Sequence, residues 1–151
     1  MSLLDELGAD LSGMDQLREM IATGRRPGMA ESLDFKLVEV GDGFAVFEGT
    51  PGLHAYNPAG VVHGGYSATL LDSACGCAVH TRLKAHQGYT TLELKVAFHK
   101  AITDSTGPVR AEGRVLTLGR RVAFSEGKLV DANGRLYASA TATLLMMDPP
   151  G

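Results

Sequence analysis

Between Gly64 and about Leu83 the chain is built almost entirely of apolar and small residues, and its one acidic group there is Asp72. Tyr66, Ala68, Leu70, Leu71, Ala74, Cys75, Cys77, Ala78 and Val79 leave no wide polar face, and β-branched residues are few. A run of this length and composition reads as a helix buried nearly all round. Such a helix must be enclosed by other elements, and the flanking sequence supplies them by alternating apolar with polar residues.

Before the helix, Leu33, Phe35 and Leu37 alternate, Gly41-Asp42-Gly43 makes a turn, and Phe44, Val46 and Glu48 continue to Pro51, which predicts a hairpin. After it, Thr90–Phe98 places Leu92, Leu94 and Val96 on one face and Thr91, Glu93 and Lys95 on the other. Further strands are expected over 108–117, 121–130 and 135–147, the last two joined by a turn at Asp131-Ala132-Asn133-Gly134. The predicted class is α+β, an antiparallel sheet wrapped around one long central helix. Ser12 and Asp15 form a capping box, and Met14, Leu17, Met20 and Ile21 follow at helical spacing up to Gly24, which predicts a short extra N-terminal helix. The expected organisation is a helical extension over 1–30, one domain over 31–147 and a disordered tail over 148–151.

Composition narrows the function. A chain of 151 residues suits a single domain with a sizeable core. A net charge of −3 gives no concentrated basic face for nucleic acid, and no apolar run is long enough to span a membrane. The N-terminal M-S-L-L-D-E-L-G-A-D does not read as a signal peptide, so a cytoplasmic protein is expected. Cys75 and Cys77 are spaced too tightly for an ordinary disulfide and lack further ligands for zinc, which reads as buried, inert thiols. His54, His80, His86 and His99 have no carboxylate or cysteine at ligand spacing and read as surface or loop residues, so no metal or cofactor is expected.

The segment N-P-A-G-V-V-H-G-G-Y-S-A-T-L-L-D, Asn57 to Asp72, carries the chemistry. His63, Gly64 and Gly65 stand where the helix begins, and the unpaired N–H groups and positive dipole end there can hold a developing oxyanion. Asp72 follows His63 by nine residues. A carboxylate on an apolar helix must be wet, paired or functional.

The spacing Asn57, Gly60, His63, Gly64, Gly65 and Asp72 resembles that of the hotdog-fold thioesterases of the PaaI type, the phenylacetate-pathway and acyl-CoA thioesterase group. T-T-x-E-x-K-V-A-F-H-K-A, Thr90 to Ala101, and the stretch from Leu118 to Asp131 look like the strands that follow in that family. The resemblance covers about 33–147. It implies a hotdog fold, a homodimer assembling to a homotetramer, and an active site at the dimer interface that draws the aspartate from one protomer and the H-G-G loop from the other. It implies acyl-CoA as substrate and no metal.

On that resemblance Asp72 is the general base or the nucleophile, and the backbone amides of Gly64 and Gly65 form the oxyanion site. His63 bonds the acyl group or fixes the loop. Asn57 positions the loop or the attacking water, with an Asx-turn as the alternative. Thr91 is the strand hydroxyl that assists the water. Arg120, Arg121, Lys100 and Arg82 are the candidates for CoA's phosphates, while Tyr66, Leu70, Phe98 and Phe124 are candidates for the acyl pocket. A hydratase or dehydratase, a non-catalytic acyl-CoA-binding domain and a ligand-free structural dimer are the alternatives to hydrolysis.

Overall fold

A computed structural model describes residues 1–149. Three short helices come first: α1 (Leu3–Gly8), α2 (Gly13–Thr23) and α3 (Gly28–Leu33). The hairpin β1 (Phe35–Gly41) and β2 (Phe44–Gly49) leads through a single 3-10 turn, Leu53–Ala55, to the long helix α4 (Gly64–His80). Strands β3 (Gly88–Phe98), β4 (Val109–Leu118), β5 (Val122–Asp131) and β6 (Leu136–Met147) complete the chain. All strand pairs are antiparallel, in the spatial order β1-β2-β4-β5-β6-β3.

The sheet curls around α4, which contacts every strand. Leu70, Leu71, Ala74, Ala78 and Val79 of α4 are fully buried against Ala45, Val109, Ala111, Leu129 and Leu144 of the sheet. Each such leucine contributes about 1.5–3 kcal/mol by leaving water. Gly113 of β4 allows the closest approach: a Cβ there would lie 2.1 Å from the Ala74 carbonyl oxygen. A small residue on the strand thus matches the small residues on the helix.

The N-terminal helices are set by local signals. Ser12 caps α2, its Oγ accepting the Asp15 N–H at 3.2 Å, and Gly24 ends the helix in the left-handed conformation at φ 68°. Leu17 and Met20 of α2, with Ala30 of α3, join the main core. Two helices go beyond the sequence expectation. Ser2 and Asp5 form a reciprocal capping box that starts α1, whereas at α2 only the Ser12 half of the expected box is made. Helix α3 takes in Leu33, which was expected in the first strand. Asp34 then turns the chain at φ 57°, so β1 begins only at Phe35.

A second difference lies in β3. The pairing with β6 slips between Thr91 and Glu93, where Leu92 bulges out of the ladder. One inserted residue reverses which parity faces the core. Tyr89 and Thr91 therefore share the helix-facing side with Leu94 and Val96, while Leu92 is 57 % exposed. Among the described residues no helix is long and apolar enough to cross a membrane. Of the tail expected to be disordered, Pro150 and Gly151 lie outside the described residues.

Candidate active site

Asp72, Gly76 and His80 follow one another at four-residue spacing and so form a single stripe along α4. Strand β3 runs beside that stripe. The Tyr89 hydroxyl tucks against Gly76, where a Cβ would meet it at 2.4 Å. The Tyr89 and His80 rings meet edge to face, with centroids 5.9 Å apart. Two residues further along the strand, the Thr91 hydroxyl donates to Asp72 Oδ1 at 2.9 Å. Asp72 Oδ2 has no hydrogen-bond partner among the described residues. Between helix and strand lies an open cavity of about 570 Å³, lined by Leu4, Asp72, His80, Gly88, Tyr89, Thr90 and Thr91.

Burial sets the protonation of the surrounding groups. It pushes the His80 imidazole down to about 4, so the ring is neutral in the physiological range. It pushes Tyr89 well above its usual value, and the Cys75 and Cys77 thiols up to about 11 and about 12. Neither cysteine is a thiolate near neutral pH, so neither is poised as a nucleophile. Asp72 is the one carboxyl group lining the cavity.

The second cluster is at the start of α4. His63 is the N-cap, and its Nδ1 accepts the Gly65 N–H at 2.7 Å, which makes Nε2 the protonated nitrogen of the neutral ring. The His63 N–H donates to Ala55 O at 2.7 Å and ties the helix start to the preceding turn. Among the described residues nothing accepts the Gly64 N–H. The Phe98 ring lies over the Gly64 Cα, 2.9 Å from where a Cβ would sit. Asn57 organises the loop before the cap: its Oδ1 accepts from Ala59 N at 3.0 Å and Val61 N at 3.3 Å, while its own N–H donates to Val61 O. The Asx-turn considered from sequence is thus present.

These two clusters do not meet within one chain. Gly64 and Asp72 are eight residues apart on one helix, on the order of 12 Å along its axis. The remaining candidates are scattered. Arg82 is held by Asp42, with Nε donating to Oδ1 at 2.9 Å, and Lys100 sits over the Tyr137 ring. Arg120 and Arg121 are exposed at the β4–β5 turn and form no ion pair among the described residues. Tyr66 is 2 % exposed and its hydroxyl presses on Gly49, which places it in the core rather than in the Asp72 cavity. Among the described residues no group of three or more His, Cys, Asp or Glu side chains could hold a metal ion.

Sequence reasoning had set His80 on the surface, yet it is 3 % exposed. Its eight-residue spacing from Asp72 was the signal that puts both on one stripe. Tyr89 was equally legible, two residues before Thr91 on an alternating strand. Nothing in the sequence pointed to Leu4.

The family model described as the thioesterase superfamily matches residues 59–138, which take in α4 and most of the sheet. Two Saccharolobus solfataricus proteins, each named a putative esterase, are similar to this chain. One is 36% identical over 56% of this chain and 54% of its own length, so this chain spans about half of that relative. The other is 34% identical over 72% of this chain and 75% of its own length. A Ralstonia eutropha crystal structure, named as a putative thioesterase and phenylacetic acid degradation-related protein, superposes with a TM-score of 0.76 at 26% identity, covering 85% of this chain and 98% of that one. The long helix within a curled antiparallel sheet is the hotdog fold, and the chain belongs to the thioesterase superfamily.

Proposed function

We propose that this protein hydrolyses acyl-CoA thioesters, with Asp72 as the base and the α4 N-terminus of a second copy as the oxyanion site. The observation that carries this reading is the Thr91–Asp72 hydrogen bond beside the cavity. It fixes one carboxylate oxygen and leaves the other for water.

Asp72 takes a proton from that water as the water oxygen bonds to the thioester carbonyl carbon. The carbonyl electrons move onto oxygen, where a backbone N–H and the positive helix end stabilise them. The C–S bond then breaks, the thiolate leaves, and the proton held by Asp72 returns to sulfur. In direct attack an Asp72 oxygen bonds to the carbonyl carbon, the C–S bond breaks and the thiolate leaves to take a proton from solvent. Water then opens the mixed anhydride to the free acid and the Asp72 carboxylate. His63 consumes the Gly65 N–H by capping and leaves Gly64 as the free donor.

The separation of about 12 Å between Gly64 and Asp72 supports a composite site, since one carbonyl cannot touch both in one chain. Strand β3 is an edge strand, available for pairing with a second copy that would bring a second α4 alongside. Arg120 and Arg121, exposed and without an ion pair among the described residues, are cations offered to CoA's phosphates.

Thiol release from short, medium-chain and aryl acyl-CoAs tests the reading on the native protein and on Asp72→Asn. Turnover on at least one class is expected, falling ~10²-fold or more in the variant while acyl-CoA still binds. Turnover that survives the change removes Asp72 from the chemistry. Binding without turnover on every thioester makes the protein an acyl-CoA-binding domain instead.

A further inference from the structure

The lining of the open cavity beside Asp72 comes from α4 and β3, with one further residue, Leu4 of α1. Helix α1 has no buried residue of its own and is too short to hold itself together in water. Leu3 and Leu7 pack half-buried against the core, and a polar latch adds to them. Gln16 of α2 donates through Nε2 to Gly8 O, at the C-terminal end of α1, at 3.0 Å and to Leu4 O, in its first turn, at 3.4 Å. Its Oε1 then accepts from His80 Nε2 at 2.9 Å. Because Gln16 spends its amide protons on α1, the proton between the two side chains sits on His80. The Arg25–Glu6 ion pair and His86–Asp10, at 3.0 Å, hold the same segment from outside. Leu4 is thus tied through Gln16 to the helix that carries Asp72.

We propose that Leu4 is a specificity-determining residue that forms the end wall of the acyl-binding cavity, and that Gln16 is the positioning residue that sets it there. This rests on the acyl-CoA reading above. His80 lies eight residues beyond Asp72 on the same stripe, so the cavity extends on the order of 12 Å along the helix from the carboxylate to the Leu4 end. That is the reach of a medium-length acyl chain. The lining past Asp72 is Leu4, Gly88, Tyr89, Thr90 and neutral His80, without a cation to meet a phosphate. Acyl carbon suits this lining, and the phosphates of CoA do not. A side chain closing such a pocket discriminates by length, because one methylene too many or too few changes selectivity by about 10–200-fold.

The test reads acyl length in two ways. Hydrolysis of a saturated acyl-CoA series gives kcat/KM for each length, and binding of non-hydrolysable acyl-CoA thioethers gives Kd over the same lengths. Leu4→Ala moves the optimum of both profiles to longer chains, with at least a ~10-fold change in the long-to-short ratio. Leu4→Trp moves it to shorter ones. Gln16→Leu broadens both profiles and raises hydrogen exchange across residues 3–8, whereas Leu4→Ala leaves that exchange protected. Hydrolysis with a length profile that neither Leu4 variant changes overturns this proposal and leaves the thioesterase reading standing. Length-dependent binding that responds to Leu4, without hydrolysis, upholds the end wall and rejects the thioesterase. No turnover and no thioether binding rejects both.

Discussion

Thr91 donates to Asp72 across the gap between β3 and α4, and it does so only because Leu92 bulges out of the strand. Without the inserted residue, strand parity would set Thr91 opposite in face to Leu94 and Val96. The bulge lets Thr91 look inward together with the apolar residues that anchor the strand on the core. A hydrogen bond to a charged group is worth about 1.5–3 kcal/mol. If that energy positions the base in the transition state, Thr91→Val lowers kcat by about 10- to 100-fold. Thr91→Ser retains most of the rate. Steady-state kinetics on the preferred acyl-CoA decide the matter, and equal rates for the two variants would detach Thr91 from the chemistry.

Gly64 occupies the first helical position, where proline is tolerated because its missing N–H has no intrahelical partner. Gly64→Pro therefore removes the proposed oxyanion donor while keeping the helix. Gly64→Ala is the matched control, since it adds a similar Cβ against the Phe98 ring and keeps the N–H. The proline variant is expected to lose about 10²–10³-fold in kcat relative to the alanine variant. Similar rates in both would assign the oxyanion site elsewhere.

The buried neutral His80 makes stability depend on pH. Its value is pushed down to about 4 by burial, against 6.5 in an unfolded chain. Between these limits the unfolded state binds a proton that the folded state does not, so stability falls as pH drops through that window and levels off below it. The full loss is about 3 kcal/mol. Thermal unfolding followed from pH 7 to pH 4 should show this fall, and His80→Gln, which does not titrate, should flatten that part of the profile.

Close packing of sheet on helix gives a prediction independent of function. Gly113→Ala forces a methyl toward the Ala74 carbonyl, which is backbone and cannot turn aside. A destabilisation of about 1–3 kcal/mol or more is expected from urea unfolding. Gly28→Ala, at a site with nothing within 4 Å, should stay within about 0.5 kcal/mol of the native protein.

What the sequence made legible were features written in contiguous residues. The apolar run around Leu70 and Leu71 implied a buried helix. Ser12 and Gly24 bracketed α2. The turn at Asp131 was readable because an aspartate there can accept neighbouring backbone amides, as Asp131 Oδ1 does from Asn133 and Arg135 at 2.9 Å. The His63-Gly64-Gly65 helix start and the isolated Asp72 were visible for the same reason. Hidden features depend on pairing across the chain. The register slip at Leu92 arises in the ladder with β6, so counting along β3 alone gave Thr91 the wrong neighbours. The Gln16–His80 bond joins residues 64 apart and owes nothing to local pattern. Arg82, offered as a phosphate ligand, is turned to Asp42 by the fold.

Subunit complementation tests the composite site most directly. Asp72→Asn retains its α4 N-terminus, and Gly64→Pro retains its carboxylate, so each variant alone lacks one half of every site. Mixing them after dissociation and reassociation is expected to raise thioester hydrolysis well above that of either variant alone, because a mixed pair assembles one intact site. Mixed pairs verified by native mass spectrometry that remain as inactive as the parents would contradict a site shared between two copies.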